Sequence, residues 1–186
     1  MRAIAPVPPT PTAGTMAAGR FADFDVDALY EALDLQRRAR SMSWEQAAQA
    51  ISGLFRDAPS RPVSPSTLTG MRGRGVLDGD GVLQMLRWLG RAPESFVPGH
   101  AGAAPLPDVP PNRILRFDTK LIHAALNARR TERGMTWKEV AGEIRGSSAA
   151  SLARLAKGGR TGFPHVVRVA AWLGRPVASL TRAFDR

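Results

Sequence analysis

Leu126-Asn-Ala-Arg-Arg-Thr-Glu-Arg-Gly-Met-Thr-Trp-Lys-Glu-Val-Ala141, followed after a turn by Ser151-Leu-Ala-Arg-Leu-Ala-Lys-Gly158, decides how this chain is read. Thr136 and Glu139 have the spacing of a capping box, in which a hydroxyl and the side chain three residues on satisfy each other's free backbone donors at a helix start. The stretch predicts one helix ending in an arginine-rich turn, a second starting at Trp137, and a third around Leu152 that closes at Gly158, where glycine tolerates left-handed backbone.

The pattern occurs twice. At an offset of 93, Phe24-Asp25 matches Phe117-Asp118, Ala32-Leu33 matches Ala125-Leu126, Arg37 matches Arg130, and Met42, Trp44 and Ala48 match Met135, Trp137 and Ala141. Further on the offset falls to 84: Ser66-Thr-Leu68 matches Ala150-Ser-Leu152, and Trp88-Leu-Gly-Arg91 matches Trp172-Leu-Gly-Arg175. The first copy therefore carries nine extra residues between Ile51 and Pro65. Such a loop would splay the flanking helices or form a wing.

Each copy reads as helical throughout. Asp25 and Asp118 are placed to cap first helices whose apolar faces are Leu29, Ala32, Leu33 and Leu121, Ile122, Ala125, Leu126. Ser43 and Gln46 form the first copy's capping box. A third helix is predicted near Pro65 and Ser148, ending at Gly73 and Gly158. A fourth runs from Asp80 to Gly90 and from Pro164 to Gly174, with Pro164 in a first-turn position, and a short fifth starts around Pro93 and Pro176. No stretch alternates well enough to predict a strand. The expected fold is all-α: two tandem five-helix domains, residues 21–97 and 112–186, after a proline-rich tail (1–20) expected to be disordered. Residues 98–111, Pro-Gly-His-Ala-Gly-Ala-Ala-Pro-Leu-Pro-Asp-Val-Pro-Pro, are expected to be a linker that reaches about 40 Å if extended.

Composition narrows the partners. The 186 residues carry a net charge of +10 and no cysteine, which excludes disulfides and thiolate metal sites. Residues 21–97 hold nine arginines and ten acids, whereas residues 112–186 hold 15 Arg and Lys against five acids. A coding bias toward arginine would load both copies equally, so the excess points to a polyanion held by the second copy. The N-terminal stretch lacks a signal-peptide core and no run is apolar enough for a membrane span, so a soluble, cytoplasmic, nucleoid-associated protein is expected. His100, His123 and His165 are scattered and form no metal-ligand set, and no Gly-x-Ser-x-Gly or His-Glu-x-x-His occurs, so neither an enzyme, a cofactor nor a metal is expected. Gly70 to Gly75 is glycine-rich, but without a preceding strand it reads as a helix-ending turn.

The residues quoted from Leu126 to Gly158, with Val63-Ser-Pro-Ser-Thr-Leu-Thr-Gly-Met-Arg-Gly73 in the first copy, resemble the lambda-repressor-like (Xre-type) helix-turn-helix family. The resemblance implies that Ala48 and Ala141 let two helices cross closely, that Leu68 and Leu152 plug the core, and that the third helix of each copy faces the major groove. Positions aligned with the family's base readers are Pro65, Ser66, Thr69 and Gly70, and Ala149, Ala150, Ala153 and Arg154. Of these, Ser66, Thr69, Ala149, Ala150 and Arg154 are the candidate base contacts, with Arg154 suited to guanine and the alanines to thymine methyls. Candidate phosphate contacts are Arg37, Arg72 and Arg74 in the first copy and Arg130, Lys138, Arg145, Lys157 and Arg160 in the second. A glutamate that relatives often pair with the first-helix arginine is replaced here by Ala156 and Arg72, which leaves Arg130 and Arg37 free for phosphate. Trp44, Trp88, Trp137 and Trp172 are read as core residues.

The resemblance implies a double-stranded DNA-binding transcriptional regulator that reads an asymmetric site with two units in one chain. Two alternatives stay open: the near-neutral first copy is a protein-binding or homodimerising module while the second binds DNA, or the chain is an antitoxin-like repressor.

Overall fold

The computed structural model of the chain describes residues 23–72, 78–100, 103 and 105–185. The expected tail lies outside that range. The fold is mainly helical, and the two copies repeat it in the same order. The first half runs α1 (Val26–Ala39), α2 (Trp44–Gly53), α3 (Pro65–Thr69), α4 (Gly79–Leu89) and a 3-10 turn at Pro93–Phe96. The second runs β1 (Ile114–Phe117), α5 (Thr119–Glu132), α6 (Trp137–Glu143), α7 (Ala149–Arg154) with a 3-10 extension Leu155–Lys157, α8 (Phe163–Leu173), a 3-10 turn at Val177–Leu180 and β2 (Thr181–Phe184).

Caps set the helix starts where the sequence places them. Asp25 accepts from Ala28 N–H and Asp118 from Leu121 N–H, and both predicted capping boxes form. A third box joins Ser148 and Ser151 at the start of α7. Helices α4 and α8 end at Gly90 and Gly174, with φ of 64° and 65° that a side chain would resist. The third helix of the first half is shorter than expected: α3 stops at Thr69 with Gly70 as its cap, and Gly73 lies outside the described residues. Leu121 is 40 % exposed, because the buried stripe of α5 runs through Ile122 and Leu126, and Leu121 falls one position off it.

The absence of strands was a wrong expectation. β1 and β2 pair antiparallel, Ile114 opposite Phe184 and Phe117 opposite Thr181. Each is four residues long, too short for an alternating signal to stand out from helical periodicity. The sheet closes the second half by tying the chain before α5 to the chain after α8. β1 also packs on α4 of the first half, where the buried Gln84 amide donates to Leu115 C=O at 2.8 Å.

The segment expected as a linker is packed down rather than extended over part of its length. Leu106 and Val109 are buried in the main core, and the Arg87 guanidinium donates to Val109 C=O at 2.7 Å. Burial pulls the Arg87 guanidinium below its ordinary value, with Asp108 pulling the other way. Two apolar side chains among the prolines were enough to dock the segment.

Both halves share one core. Equivalent residues of the two halves meet at its centre. Asp78 and Gly162, equivalent residues, form a bridge across it, and Gly79 N–H donates to Thr161 C=O at 3.1 Å. Phe24 packs on Phe163 across the interface, ring centres 4.7 Å apart. Its counterpart Phe117 packs on Gly79, the equivalent of Phe163, so closely that a methyl group there would lie 2.8 Å from the ring. One member of the 79/163 pair is thus the largest fully buried side chain and the other has none. Phe163 also lies 5.6 Å from Phe117, so a single ring fills the centre.

The inserted loop neither splays the helices nor forms a wing. Ser52 Oγ accepts from Val63 N–H at 2.9 Å and closes the loop at its base, so α2 and α3 still pack as α6 and α7 do. Phe55 and Ala58 turn inward against Ile114 and Phe184 of the second half.

Candidate nucleic-acid interface

Each half presents its third helix outward on one plug residue. Leu68 and Leu152 are fully buried, while Pro65, Ser66 and Thr69 on α3, and Ala150, Ala153 and Arg154 on α7, are exposed. Ala149 is half-buried. The two hydroxyls expected to read bases are already engaged: Ser66 Oγ lies 2.9 Å from Ser64 Oγ, and Thr69 Oγ1 donates to Pro65 C=O at 3.2 Å. Arg154 is unencumbered, with no carboxylate of the described residues at ion-pair distance.

A second layer of cations surrounds these helices, and the halves treat it differently. Arg37 and Arg130 are built alike: each donates to a backbone carbonyl five residues on (Met42, 3.2 Å; Met135, 2.7 Å) and lies over the indole two residues beyond (Trp44, 4.6 Å; Trp137, 5.1 Å). Arg37, however, also meets Asp34 at 2.6 Å, and Arg38 shares the same carboxylate at 2.5 Å. The equivalent of Asp34 is Asn127, whose neutral amide oxygen accepts from Arg130 at 2.9 Å. Arg130 thus has no carboxylate at ion-pair distance among the described residues, whereas Arg37, expected to be free, has one. One turn earlier Arg72 pairs with Glu31 and lies over the Tyr30 ring, and the second half has alanine at both equivalent positions, Ala156 and Ala124.

Arg145 is also not free, since it meets Asp23 at 2.9 Å together with Arg168. Lys138, Lys157 and Arg160 are exposed and, with Arg154, have no ion-pair partner among the described residues. Arg74 lies outside them. Of the eight expected phosphate contacts, Arg130, Lys138, Lys157 and Arg160 thus remain available, all in the second half.

Sequence reasoning missed Asp23, Glu31 and Asp34 as neutralising groups. The signal for Asp34 was present: it stands three and four residues before Arg37 and Arg38, the spacing of helix ion pairs. Asp23 gave none, because its partners are more than a hundred residues away.

The second half is braced by a different ion pair. Arg133 donates twice to Glu143, at 2.7 and 2.9 Å, and Trp172 Nε1–H donates to the same carboxylate at 2.7 Å. The Arg133 and Trp172 hydrogen bonds hold the Glu143 carboxyl below its usual range. This locks α5, α6 and α8 beneath α7, with Trp88 and Trp172 buried as expected. Trp44 and Trp137 are only half-buried and serve as platforms for Arg37 and Arg130.

No family model, curated protein or solved structure matches the chain. Its reading rests on the residues themselves. No helix of the described residues is long and apolar enough to cross a membrane.

Proposed function

We propose that the chain is a double-stranded DNA-binding transcriptional regulator in which α7 is the principal reading helix and the second half supplies most of the phosphate contact. The observation that carries this reading is an outward-facing, plugged helix in a half whose Arg154, Lys157, Arg160, Lys138 and Arg130 have no ion-pair partner among the described residues. Cations that a fold leaves without carboxylate partners remain available for counterion release on a polyanion, and each phosphate contact adds about 0.9 to the salt slope of binding. The likeness of the α6–α7 and α2–α3 sequences to lambda-repressor-like helix-turn-helix units supports the same assignment.

In this reading Arg154 makes a bidentate contact with guanine, Ala149 and Ala150 touch thymine methyls, and Ser66 and Thr69 add weak discrimination from α3. The two units have different reading surfaces, so the preferred site is asymmetric and taken by one chain. The observation behind a protein-partner role for the first half, its inserted loop, favours the second half of the same chain as that partner, because Phe55 and Ala58 are spent against Ile114.

Selection of bound duplexes from a random pool, followed by stoichiometry on the best site, tests the proposal. An asymmetric site bound one to one is expected. Arg154→Ala should cost about 1 to 3 kcal/mol on that site and relax one position. A palindrome bound by two chains, or no preference for duplex over other polyanions, sinks it.

A further inference from the structure

Beside α7 the second half encloses a groove of about 500 Å³ between the 3-10 extension after α7 and the start of α8. That volume is in the range of small-molecule sites. Arg154, Arg160 and Arg168 line it, and no carboxylate does; Leu155 and Pro164 form an apolar wall. Arg168 is four-fifths buried and positioned by Asp23, which takes one of its donors at 2.9 Å, while its Nε is buried without an acceptor among the described residues. Asp23 compensates Arg168, and Arg160 also lines the first half's groove beside Asp78 and Asp80, so the groove's positive charge is partly compensated.

The repeat supplies an internal comparison. The equivalent groove of the first half, about 200 Å³, carries Asp78, Asp80 and Gln84 where the second half has Gly162, Pro164 and Arg168. The first half's groove thus sets Asp78 and Asp80 against Arg61 and Arg160, whereas the second half's has three arginines and no carboxylate. Packing alone requires neither sign, so the basic set answers to something outside the core.

We infer that the groove bounded by Arg154, Arg160 and Arg168 binds a small dianionic phosphate monoester, up to a nucleoside monophosphate in size. Three guanidiniums around one groove with no carboxylate in its lining, one of them with a buried Nε that lacks an acceptor among the described residues, match a dianion better than the single charge of a DNA phosphodiester. The wall formed by Leu155 and Pro164 takes the organic part. Because Arg154 belongs both to this groove and to the reading face of α7, a bound monoester competes with duplex DNA. That competition rests on the DNA-binding proposal; the site itself does not.

Direct titration of the full chain, without DNA, tests it by calorimetry. Adenosine 5′-monophosphate or ribose 5-phosphate is expected to saturate one site, neutral adenosine to bind at least tenfold more weakly, and the phosphodiester thymidylyl-thymidine likewise. Arg160→Ala, at an exposed position that leaves the core untouched, should weaken the monoester about tenfold, and Arg168→Met by at least as much. Failure of both monoesters to saturate, equal binding by the Arg160→Ala and Arg168→Met chains, or a diester bound as tightly as the monoester overturns the inference. The last result would make the groove a seat for the DNA backbone. Loss of duplex binding in a chain that still takes the monoester would sink the DNA proposal and leave this one standing.

Discussion

The two halves share a ground plan and differ in what they do with charge. Arg37 and Arg130 make the same backbone hydrogen bond and lie over the same indole, yet an acid at position 34 neutralises the first and an amide at 127 leaves the second free. Beside them the first half holds the Arg72–Glu31 ion pair where the second has Ala156 and Ala124, and the second half's groove has Arg168 where the first half's has Gln84. The fold fixes where arginines can stand, and a few acids decide which of them face outward as charges. Net charge per half, −1 against +10, is the sum of such single choices.

The largest expected effect breaks the comparison at the shared centre. Phe163→Ala should destabilise the chain by about 3 to 5 kcal/mol, the usual cost of emptying a buried phenyl site. Because both halves share the core, chemical denaturation should show one transition before and after; two separate transitions would mean the halves are independent units. A second test exchanges the acids. Asn127→Asp should lower the salt slope of DNA binding by about one and Asp34→Asn should raise it by up to the same amount. No change in either chain would remove Arg130 from the phosphate set. The smallest effect concerns pH. Burial, then Arg168, pushes the His165 imidazole below its ordinary value, so the unfolded chain binds the extra proton and stability rises as pH increases toward about 6.5. Burial, then Asp78, raises the Asp80 carboxyl, so there the folded chain binds the extra proton and stability falls as pH climbs from about 3.8 through the raised value. His165→Gln should flatten the first limb and Asp80→Asn the second in melting scans across pH.

Much of the fold was legible in the sequence because caps and plugs are local signals. Ser43 with Gln46, Thr136 with Glu139, and Leu68 and Leu152 depend on neighbours within a few residues, and all stand where their spacing puts them. What was not legible is long-range. Phe24 and Phe117 were matched as repeat landmarks, but nothing local says that each packs on the opposite half. The four-residue strands need each other, and Ile114 reveals nothing of Phe184. For the candidate interface, exposure of the third helices followed from the repeat. The free or paired state of each arginine did not, except where the partner lies on the same helix, as Asp34 does.

The Gly79 and Phe163 pair decides how the pairing of the two halves depends on concentration. A half paired with its own twin would bring two phenyl rings to one place, or leave a hole there, so neither half can substitute for the other. The partner each half needs is already at hand on the same chain, at a ratio that dilution cannot change. Where separate subunits must find each other by diffusion, these two halves are joined by the backbone and share one core.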